Sequence, residues 1–237
     1  MGNNQLMHSL KFVKKLHQKK YRDKTGLYLA EGKKIVEEAL KLGLIEQIFI
    51  TKENQREFFN ASVIEEKTMK EISTMEIPPG VLAVVRKQVG LKLSDDKTLI
   101  VEDLRDPGNM GTIIRSAEAF GFAIGLLGNC VDPWNEKCVQ ASMGSIFRVS
   151  ISFYTYEDLE RLKDIKKIYA TYLEKSFNPK DVKFSKDGIL LIGSESHGLS
   201  ERALNLSTDF LKIPMEGQVE SLNAAIAASI LMYMWNQ

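Results

Sequence analysis

The second half of the sequence alternates short apolar runs with helix-forming segments, and this alternation constrains the fold more than any other feature. The apolar runs have the length of strands and occupy residues 98–102, 122–127, 151–153, 167–172, 188–192 and 211–213. Helix-forming segments separate several of these runs or follow the last one, at residues 111–120, 136–144, 157–163 and 224–235. Strands that alternate with helices form a mainly parallel sheet with helices packed on its faces. We therefore predict an α/β fold with a mainly parallel sheet.

The first third of the chain has a strand and helix pattern of its own. Apolar residues recur at three- and four-residue steps from Leu6 to Lys19, which predicts one amphipathic helix. Strands are predicted at residues 28–30, 45–50 and 81–85, and helices at 32–42 and 69–73. Residues 87–97 are mostly polar and suit a linker, so we place a boundary near Leu91. The prediction is a smaller α/β domain over residues 1–90 and a larger domain over residues 91–237.

Composition gives no indication of a membrane protein or of a metal site. Hydrophobic residues make up 44% of the 237 residues, which is enough for a sizeable core. The longest apolar stretch, residues 224–235, is too short to span a bilayer, and the N-terminus lacks the apolar core of a signal peptide. Cys130 and Cys138 have no histidine nearby, which favours free thiols over a metal site. We expect a cytoplasmic protein with neither membrane nor metal partners.

Positive charge is concentrated near the N-terminus. The net charge of the chain is only +1, yet seven basic residues fall between Lys11 and Lys24 with Asp23 as the single acid. Such a cluster favours contact with phosphates, although a merely solvated helix surface is the alternative. The candidate nucleic-acid-binding residues are Lys11, Lys14, Lys15, Lys19, Lys20 and Arg22.

Three segments that carry polar residues and glycine lie next to predicted strands or helices of the larger domain. Residues 106–115 read DPGNMGTIIR, residues 193–198 read GSESHG, and residues 213–223 read IPMEGQVESLN. In the third segment Pro214 ends a strand, Gly217 permits unusual backbone angles, and Asn223 can cap the helix that follows. Because no G-x-G-x-x-G motif follows a predicted strand, a Rossmann nucleotide site is not expected.

The order and spacing of these segments resemble the three motifs of the SpoU (TrmH) RNA 2′-O-ribose methyltransferases of the SPOUT superfamily. Residues 28–32 and 77–84 are similar to the start and end of the ribosomal-protein-like substrate-binding domain that many members carry. The resemblance covers essentially the whole chain. It implies a trefoil-knotted C-terminal domain, S-adenosylmethionine as the cofactor, RNA as the substrate and a homodimer with its active sites near the subunit interface.

The resemblance also implies roles for individual residues. Backbone groups would hold the cofactor, and the residues concerned are Gly193, Ile213, Met215, Gly217 and Leu222. The catalytic candidates are Asn109, Arg115, Glu195, Ser221 and Asn223. The structural alternatives are a turn or core position for the cofactor candidates, a capping role for Asn109, Ser221 and Asn223, a solvent-facing side chain for Glu195, and a solvated or acid-paired side chain for Arg115. His197 would face the substrate at most. Arg115 would act either as a base or by binding a phosphate and positioning the ribose, and the second role is chemically easier because a guanidinium stays protonated.

The favoured function is therefore 2′-O-ribose methylation of RNA with S-adenosylmethionine. The two-domain layout favours ribosomal RNA over transfer RNA, because members that act on transfer RNA often lack this type of N-terminal domain. A non-catalytic RNA-binding or ribosome-assembly factor with the same fold is the main alternative. A methyltransferase of proteins or small molecules would leave the basic N-terminal segment unexplained.

Overall fold

The computed structural model describes residues 8–90, 97–172, 176–219 and 221–237. The described residues form two compact units. The first contains the chain up to Gln88 together with Asp132–Phe147, and the second contains Val89–Val131 and Arg148–Gln237. The predicted boundary near Leu91 lies outside the described residues, and the division at residue 90 stays a prediction. The segment Asp132–Phe147 belongs to the first unit by its contacts, although it follows that boundary in sequence.

Helices and strands alternate through most of the chain. The helices are α1 (Leu10–Lys15), α2 (Lys19–Thr25), α3 (Lys33–Lys41), α4 (Glu66–Ile72), α5 (Pro107–Phe120), α6 (Glu136–Ser142), α7 (Tyr156–Leu162), α8 (Glu201–Asn205) and α9 (Ala224–Trp235). The strands are β1 (Leu27–Glu31), β2 (Ile45–Ile50), β3 (Ser62–Val63), β4 (Val81–Arg86), β5 (Thr98–Glu102), β6 (Ala123–Leu127), β7 (Ile151–Tyr154), β8 (Ile168–Thr171), β9 (Ile189–Ile192) and β10 (Asp209–Leu211). Short 3₁₀ helices lie at Lys52–Asn54, Ser145–Phe147 and Pro179–Asp181. None of the helices in the described part of the chain is long and apolar enough to cross a membrane.

The first unit is built on a four-stranded sheet in the order β1-β4-β2-β3. Strand β4 pairs antiparallel with both β1 and β2, whereas β2 and β3 are parallel. One face of the sheet packs against α1 and α4 through buried apolar side chains, which include Val13, Leu16, Phe49, Met69, Ile72 and Leu82. Of the apolar positions in the predicted N-terminal helix, Val13 and Leu16 face the core, whereas Leu10 is 37% exposed.

The single helix predicted from Leu6 to Lys19 is wrong over its described part. Helix α1 ends at Lys15 and α2 begins at Lys19, because Gln18 adopts extended backbone angles; Leu6 itself lies outside the described residues. The break is stabilised by Arg22, whose Nη1 donates hydrogen bonds of 2.8 Å to the carbonyl oxygens of Leu16 and His17. These carbonyls end a helix and need a donor from elsewhere, which the arginine supplies.

His17, at the same break, connects α1 to α4 and α6. Its Nδ1 lies 2.7 Å from Oε1 of Glu136, and its Nε2 lies 3.1 Å from the carbonyl oxygen of Ile72. Two acceptors on the two ring nitrogens favour the doubly protonated imidazolium. The hydrogen bond to Glu136 is the main reason why the pKa of His17 is raised above its ordinary value of 6.5.

Replacing His17 by glutamine is expected to remove a pH-dependent part of the stability. A raised folded-state pKa means that protonation favours folding, so this contribution is complete below about pH 6.5 and is lost as the pH rises through the folded-state pKa. Chemical denaturation from pH 5.5 to 9 should show the largest difference between wild type and His17→Gln at the acid end. In a Glu136→Gln background, which lacks the carboxylate partner of His17, the effect of His17→Gln on stability at the acid end should be smaller. A difference that does not vary with pH would contradict the prediction.

The second unit contains a six-stranded sheet in the order β10-β8-β9-β5-β6-β7. Every neighbouring pair in it is parallel. This confirms the predicted α/β class with a mainly parallel sheet, whereas the trefoil knot stays a prediction. Strand β10 ends at Leu211, two residues before the predicted end, because its neighbour β8 ends opposite it at Thr171. The sequence pattern also missed α2, the short strand β3 and the short helix α8.

The closing helix α9 begins and packs as its sequence indicates. The side-chain oxygen of Asn223 accepts hydrogen bonds from the backbone N–H groups of Ala225 and Ile226, so this residue is the predicted N-cap. At the other end Trp235 stacks on Phe184 and donates from Nε1 to the carbonyl oxygen of Ser185 at 3.2 Å. Both ends of α9 are therefore fixed by polar contacts to specific residues.

Candidate active site

Three loops of the second unit meet at the carboxyl edge of its sheet. They follow β5, β9 and β10, and these strands are parallel to one another and belong to one sheet. The carboxyl ends of parallel strands lie at the same edge, which is where open α/β sheets bind their ligands. The three sequence motifs that are far apart along the chain are thus brought to one edge.

A chain of side-chain hydrogen bonds joins one residue from each motif. Nδ2 of Asn109 donates to Oε1 of Glu195, and Nδ2 of Asn223 donates to Oδ1 of Asn109 at 3.0 Å. Asn109 is 86 residues from Glu195 and 114 residues from Asn223 in sequence. Since Asn223 also caps α9, this chain fixes the start of α9 to the first turn of α5.

Helix α5 starts earlier than the sequence pattern predicts. Pro107 is its first residue, and Asp106 caps it by accepting a hydrogen bond of 2.7 Å from the backbone N–H of Asn109. Asn109 is therefore inside the first turn and is not the cap, contrary to the sequence interpretation. Because Asp106 caps the helix, the side chain of Asn109 is free to bond to Glu195 and Asn223.

Arg115 and Ser221 are close in sequence to Asn109 and Asn223, but neither takes part in the hydrogen-bonded chain. Arg115 is exposed on α5, and its guanidinium has no hydrogen bond or ion pair with any residue that the structure describes. The buried face of the same helix carries Ile113, Ile114 and Ala117, as the sequence pattern predicts. Ser221 is also exposed and has no bonding partner in the described part of the chain. Both side chains are therefore exposed to solvent and available to a ligand.

The loops that carry the cofactor candidates offer unpaired backbone groups. Ile213 and Leu222 are half-buried, and the N–H groups of Ile213, Met215 and Leu222 donate to no described residue. Half-buried donors without a protein partner are suited to a ligand that is held through the backbone. The donor set therefore fits an adenosine-containing cofactor, which is the group that the sequence resemblance implies.

The two glycines among the cofactor candidates differ in their surroundings. A Cβ atom on Gly193 would lie 2.0 to 2.3 Å from the backbone of Gly198 and Leu199, so the hairpin formed by residues 193–198 closes only on a glycine. Gly217 has no atom within 4 Å of such a Cβ position, and its φ is not positive. The conformational freedom that a glycine permits at position 217 is therefore not used in the structure, whereas Gly193 is required by close backbone approach.

Sequence analysis missed Glu102, the last residue of β5. Its side chain is buried, with 2% of its surface exposed, and accepts three hydrogen bonds. They come from the hydroxyl of Tyr156 at 2.6 Å, and from the hydroxyl and the backbone N–H of Ser200 at 2.7 Å each. Burial and the bond to Glu102 raise the pKa of Tyr156, which keeps its hydroxyl protonated as a donor. A carboxylate at the end of an otherwise apolar strand was the available sequence signal.

Replacing Glu102 by glutamine is expected to lower the free energy of unfolding by about 2 kcal/mol, because an amide nitrogen then faces donors in a buried position. Ser200 caps α8 directly after the 193–198 hairpin, so cofactor affinity should fall as well. Thermal denaturation and calorimetric titration with S-adenosylhomocysteine measure the two effects. The control Tyr156→Phe removes one donor only and should cost about 1 kcal/mol. Equal stability of wild type and Glu102→Gln would show that the network does not hold the hairpin.

Arg22, one of the predicted RNA-binding residues, is a structural residue. It is only 3% exposed and pairs with Asp132, with Nε and Nη2 at 2.7 and 2.6 Å from one carboxylate oxygen. Nη1 is occupied by the carbonyl oxygens that end α1. The prediction that Arg22 contacts phosphate is therefore corrected, because its guanidinium is buried and bonded to residues of the first unit.

The five candidate lysines remain on or next to α1 and α2. Lys14 pairs with Glu71 at 2.7 Å and Lys19 with Asp23 at 2.5 Å, and all four side chains stay largely exposed. The ammonium groups of Lys15 and Lys20 lie 5.3 and 5.0 Å from the centre of the Tyr21 ring. Lys11 is exposed and has no described partner. The surface formed by Lys11, Lys14, Lys15, Lys19 and Lys20 is named the α1–α2 lysine surface below.

The cysteines and acidic residues do not form a recognisable metal site. Cys130 and Cys138 are free thiols, and burial raises the pKa of Cys130, which makes it a poor nucleophile at neutral pH. No group of three or more His, Cys, Asp or Glu side chains that could hold a metal ion occurs among the described residues.

Comparison with known proteins gives matches over nearly the whole chain. Residues 96–233 match the model of the SpoU rRNA Methylase family, and residues 8–83 match the MRM3-like substrate binding domain. A relative from Bacillus subtilis (strain 168), 23S rRNA (guanosine(2553)-2′-O)-methyltransferase RlmP, is 32% identical over 230 residues. That alignment covers 93% of this chain and 92% of the relative.

Two solved structures show how far the similarity extends along the chain. The AdoMet-bound rRNA methyltransferase from Sinorhizobium meliloti is 31% identical, with a TM-score of 0.84, and covers 95% of this chain and 93% of its own. A structure described as giving insights into the 2-OH methylation of C/U34 on tRNA is 27% identical, with a TM-score of 0.55. It covers 95% of its own chain but only 60% of this one.

Proposed function

Because the chain belongs to the SpoU rRNA methylase family, and is thus an S-adenosylmethionine-dependent RNA methyltransferase, we propose that it methylates a ribose 2′-hydroxyl of ribosomal RNA. The observation that carries the proposal is the hydrogen-bonded chain of Asn109, Glu195 and Asn223 at the carboxyl edge of the sheet. It joins the three motifs at one place, and the exposed Arg115 is carried by α5, whose first turn contains Asn109.

Coverage of the two solved structures favours ribosomal RNA. The rRNA methyltransferase from Sinorhizobium meliloti aligns with 95% of this chain, whereas the structure concerned with tRNA aligns with only 60%. The first relative above is named for 23S rRNA and also covers nearly the whole chain. A substrate that requires both units is therefore more consistent with ribosomal than with transfer RNA. We also propose that the protein acts in the cytoplasm, because the relative that is named for 23S rRNA is bacterial.

The residues of the site divide the work of methyl transfer. S-adenosylmethionine, when bound, supplies an electrophilic methyl group. The backbone groups of Ile213, Met215 and Leu222 would hold its adenosine part, and Gly193 keeps the adjoining hairpin closed. Arg115 would bind a phosphate of the RNA and thereby position the ribose, since a guanidinium does not give up its proton readily. Positioning of the reacting oxygen is itself a large part of catalysis.

At the reacting ribose, the 2′-oxygen would take up the methyl group that the cofactor supplies. The hydroxyl proton would pass to the carboxylate of Glu195 or to water. Asn109 and Glu195 are bonded to each other and are therefore placed to orient the hydroxyl or to accept its hydrogen bond. Ser221, which has no described partner, is a further hydrogen-bonding group for the ribose.

The test is transfer of label from S-adenosylmethionine into ribosomal RNA from a strain that lacks this gene. Free rRNA and isolated subunits are used as separate substrates, and the labelled ribose is mapped by its resistance to alkaline cleavage. Label at a single ribose supports the proposal. If the protein binds cofactor and RNA but labels neither substrate, the non-catalytic RNA-binding factor replaces it.

We further infer that the α1–α2 lysine surface binds the RNA backbone. Lys11 has no described partner, and Lys15 and Lys20 flank an aromatic ring that can contact an unpaired base. Substituting Lys11 and Lys20 together by glutamine should weaken RNA binding about tenfold at moderate salt and should reduce its salt dependence. Electrophoretic mobility shifts at several salt concentrations measure both. Lys180→Gln together with Lys186→Gln, in the second unit, is the charge-matched control.

We infer that the protein is a homodimer through α5 and α9. At the end of α9, Met232 and Trp235 are buried in the core, while Tyr233 is 53% exposed. Ile226 on the same helix is 52% exposed, and Phe120 of α5 lies against Tyr233. Exposed apolar side chains on two packed helices are typical of an interface. Sedimentation equilibrium should give twice the chain mass of 26.8 kDa.

A further inference from the structure

A cavity of about 430 Å³ opens at the carboxyl edge of the second unit, next to the hydrogen-bonded chain. Its walls come from the end of β5 and from the loops that follow β5 and β9. They include Glu102, Asp103, Arg105, Glu195, His197 and Ser200. No residue of the segment 212–223 lines it among those the structure describes. The cavity is thus separate from the loop that carries most of the cofactor candidates, and its size is typical of small-ligand sites.

The polar groups of the cavity are unequal in their availability. The carboxylate of Glu102 is already saturated by Tyr156 and Ser200, and that of Asp103 accepts the backbone N–H of Asn129 at 2.6 Å. Arg105 is exposed and bonds to no described residue. The Nδ1 atom of His197 lies 2.7 Å from Oγ of Ser196, and its Nε2 has no partner among the described residues. A guanidinium plane and an imidazole ring are therefore the groups available to a ligand.

These two groups have the chemistry that recognises an unstacked nucleobase. Arginine planes and histidine rings stack on splayed-out bases and hydrogen-bond to their edges. The cavity shares Glu195 with the hydrogen-bonded chain, so a base inside it would have its own ribose next to Asn109 and Glu195. A base is joined to its ribose by one covalent bond, so a base in the cavity and a ribose at the adjoining Asn109–Glu195 contact can belong to one nucleotide.

We propose that the cavity receives the base of the nucleotide whose ribose is methylated, and that Arg105 and His197 are its specificity-determining contacts. The proposal rests on the proposed function, because it takes the reacting ribose to lie at the Asn109–Glu195 contact. The cofactor candidates Ile213, Met215 and Leu222 lie on a segment that does not line the cavity. Arg105 and His197 therefore affect the choice of nucleotide and not the affinity for the cofactor.

The experiment uses a short RNA that contains the mapped ribose, with either its natural base or an abasic nucleotide that keeps the 2′-hydroxyl. Wild type should show a KM about tenfold lower for the natural base, since stacking and edge contacts to one base have effects of this order. Arg105→Ala and His197→Ala should lose most of this preference. Their affinity for S-adenosylhomocysteine, measured by calorimetry, should stay within about twofold of wild type.

Arg161→Ala is the matched control, because Arg161 is an exposed arginine of the second unit that has no described partner and does not line the cavity. It should keep the full preference. The proposal is overturned if wild type methylates the abasic RNA as well as the natural one, or if Arg105→Ala keeps the preference. Loss of cofactor affinity in Arg105→Ala would also overturn it, since the cavity would then belong to the cofactor.

A second readout does not depend on catalysis. The chain has three histidines, so the Cε1–H resonance of His197 is identified in a carbon–proton spectrum by its loss in His197→Gln. Protein saturated with S-adenosylhomocysteine is titrated with each of the four ribonucleoside 5′-monophosphates. A saturable shift of His197 that Arg105→Ala removes supports the base cavity even if methyl transfer to RNA is never observed. No shift with any of the four, in protein that methylates RNA, overturns the cavity and leaves the proposed function intact.

Discussion

Arg115→Ala is expected to lower methyl transfer to RNA by about 100-fold or more, with cofactor affinity and stability unchanged. The guanidinium is exposed and bonds to no described residue, so its removal breaks no contact that holds the fold, and a surface substitution of this kind typically changes stability by less than about 0.5 kcal/mol. Loss of a group that positions the reacting centre typically has effects of this size on kcat. Single-turnover transfer of labelled methyl groups measures the rate.

A lysine at position 115 distinguishes the two possible roles of the arginine. If Arg115 binds a phosphate, Arg115→Lys should recover part of the lost rate through its charge, though not the geometry of the guanidinium fork. If it acts as a base, the rate of Arg115→Lys should rise at high pH as the lysine loses its proton. Full activity of Arg115→Ala would remove this residue from the catalytic candidates.

The second large effect is expected for Gly193→Ala, which should destabilise the protein by about 3 kcal/mol and reduce cofactor affinity more than tenfold. The new Cβ would lie within 2.3 Å of backbone atoms of Gly198 and Leu199, and backbone cannot move aside as a flexible side chain can. Opening the hairpin would also displace Glu195 from Asn109. Thermal denaturation and calorimetric titration with S-adenosylhomocysteine measure both effects.

Gly217→Ala provides the matched control for this prediction. It makes the same chemical change in a neighbouring loop of the same edge, where the added Cβ meets no atom within 4 Å and the backbone φ is not positive. Its stability should stay within about 0.5 kcal/mol of wild type. If Gly193→Ala binds the cofactor as tightly as Gly217→Ala does, the closed hairpin is not needed for binding.

Several elements were predictable because their signals are local. The alternation of apolar runs and helical segments gave the α/β class, and strands β2 and β5 agree with prediction at both ends. Asn223 was recognisable as a cap because capping depends only on the next three residues. The family was recognisable from three short motifs in a fixed order, and the family match over residues 96–233 confirms it.

Other elements depended on partners that are distant in sequence. The end of α1 could not be predicted, because it is stabilised by Arg22, which in turn is held by Asp132, 110 residues away. Arg22 could not be distinguished from its lysine neighbours in sequence, because its burial depends on the same distant partner, Asp132. The position of β10 was misjudged because a strand ends where its neighbour β8 ends.

The sequence by itself determined the fold class, the family and the identity of the motif residues, since all of these follow from residue types at short spacings. Tertiary structure alone decided which of those residues meet. The order β10-β8-β9-β5 brings the loops after three parallel strands to one edge, and only there do Asn109, Glu195 and Asn223 become bonded. The role of Glu102 was likewise decided by tertiary structure, because the donors that surround its buried carboxylate lie 54 and 98 residues away in sequence.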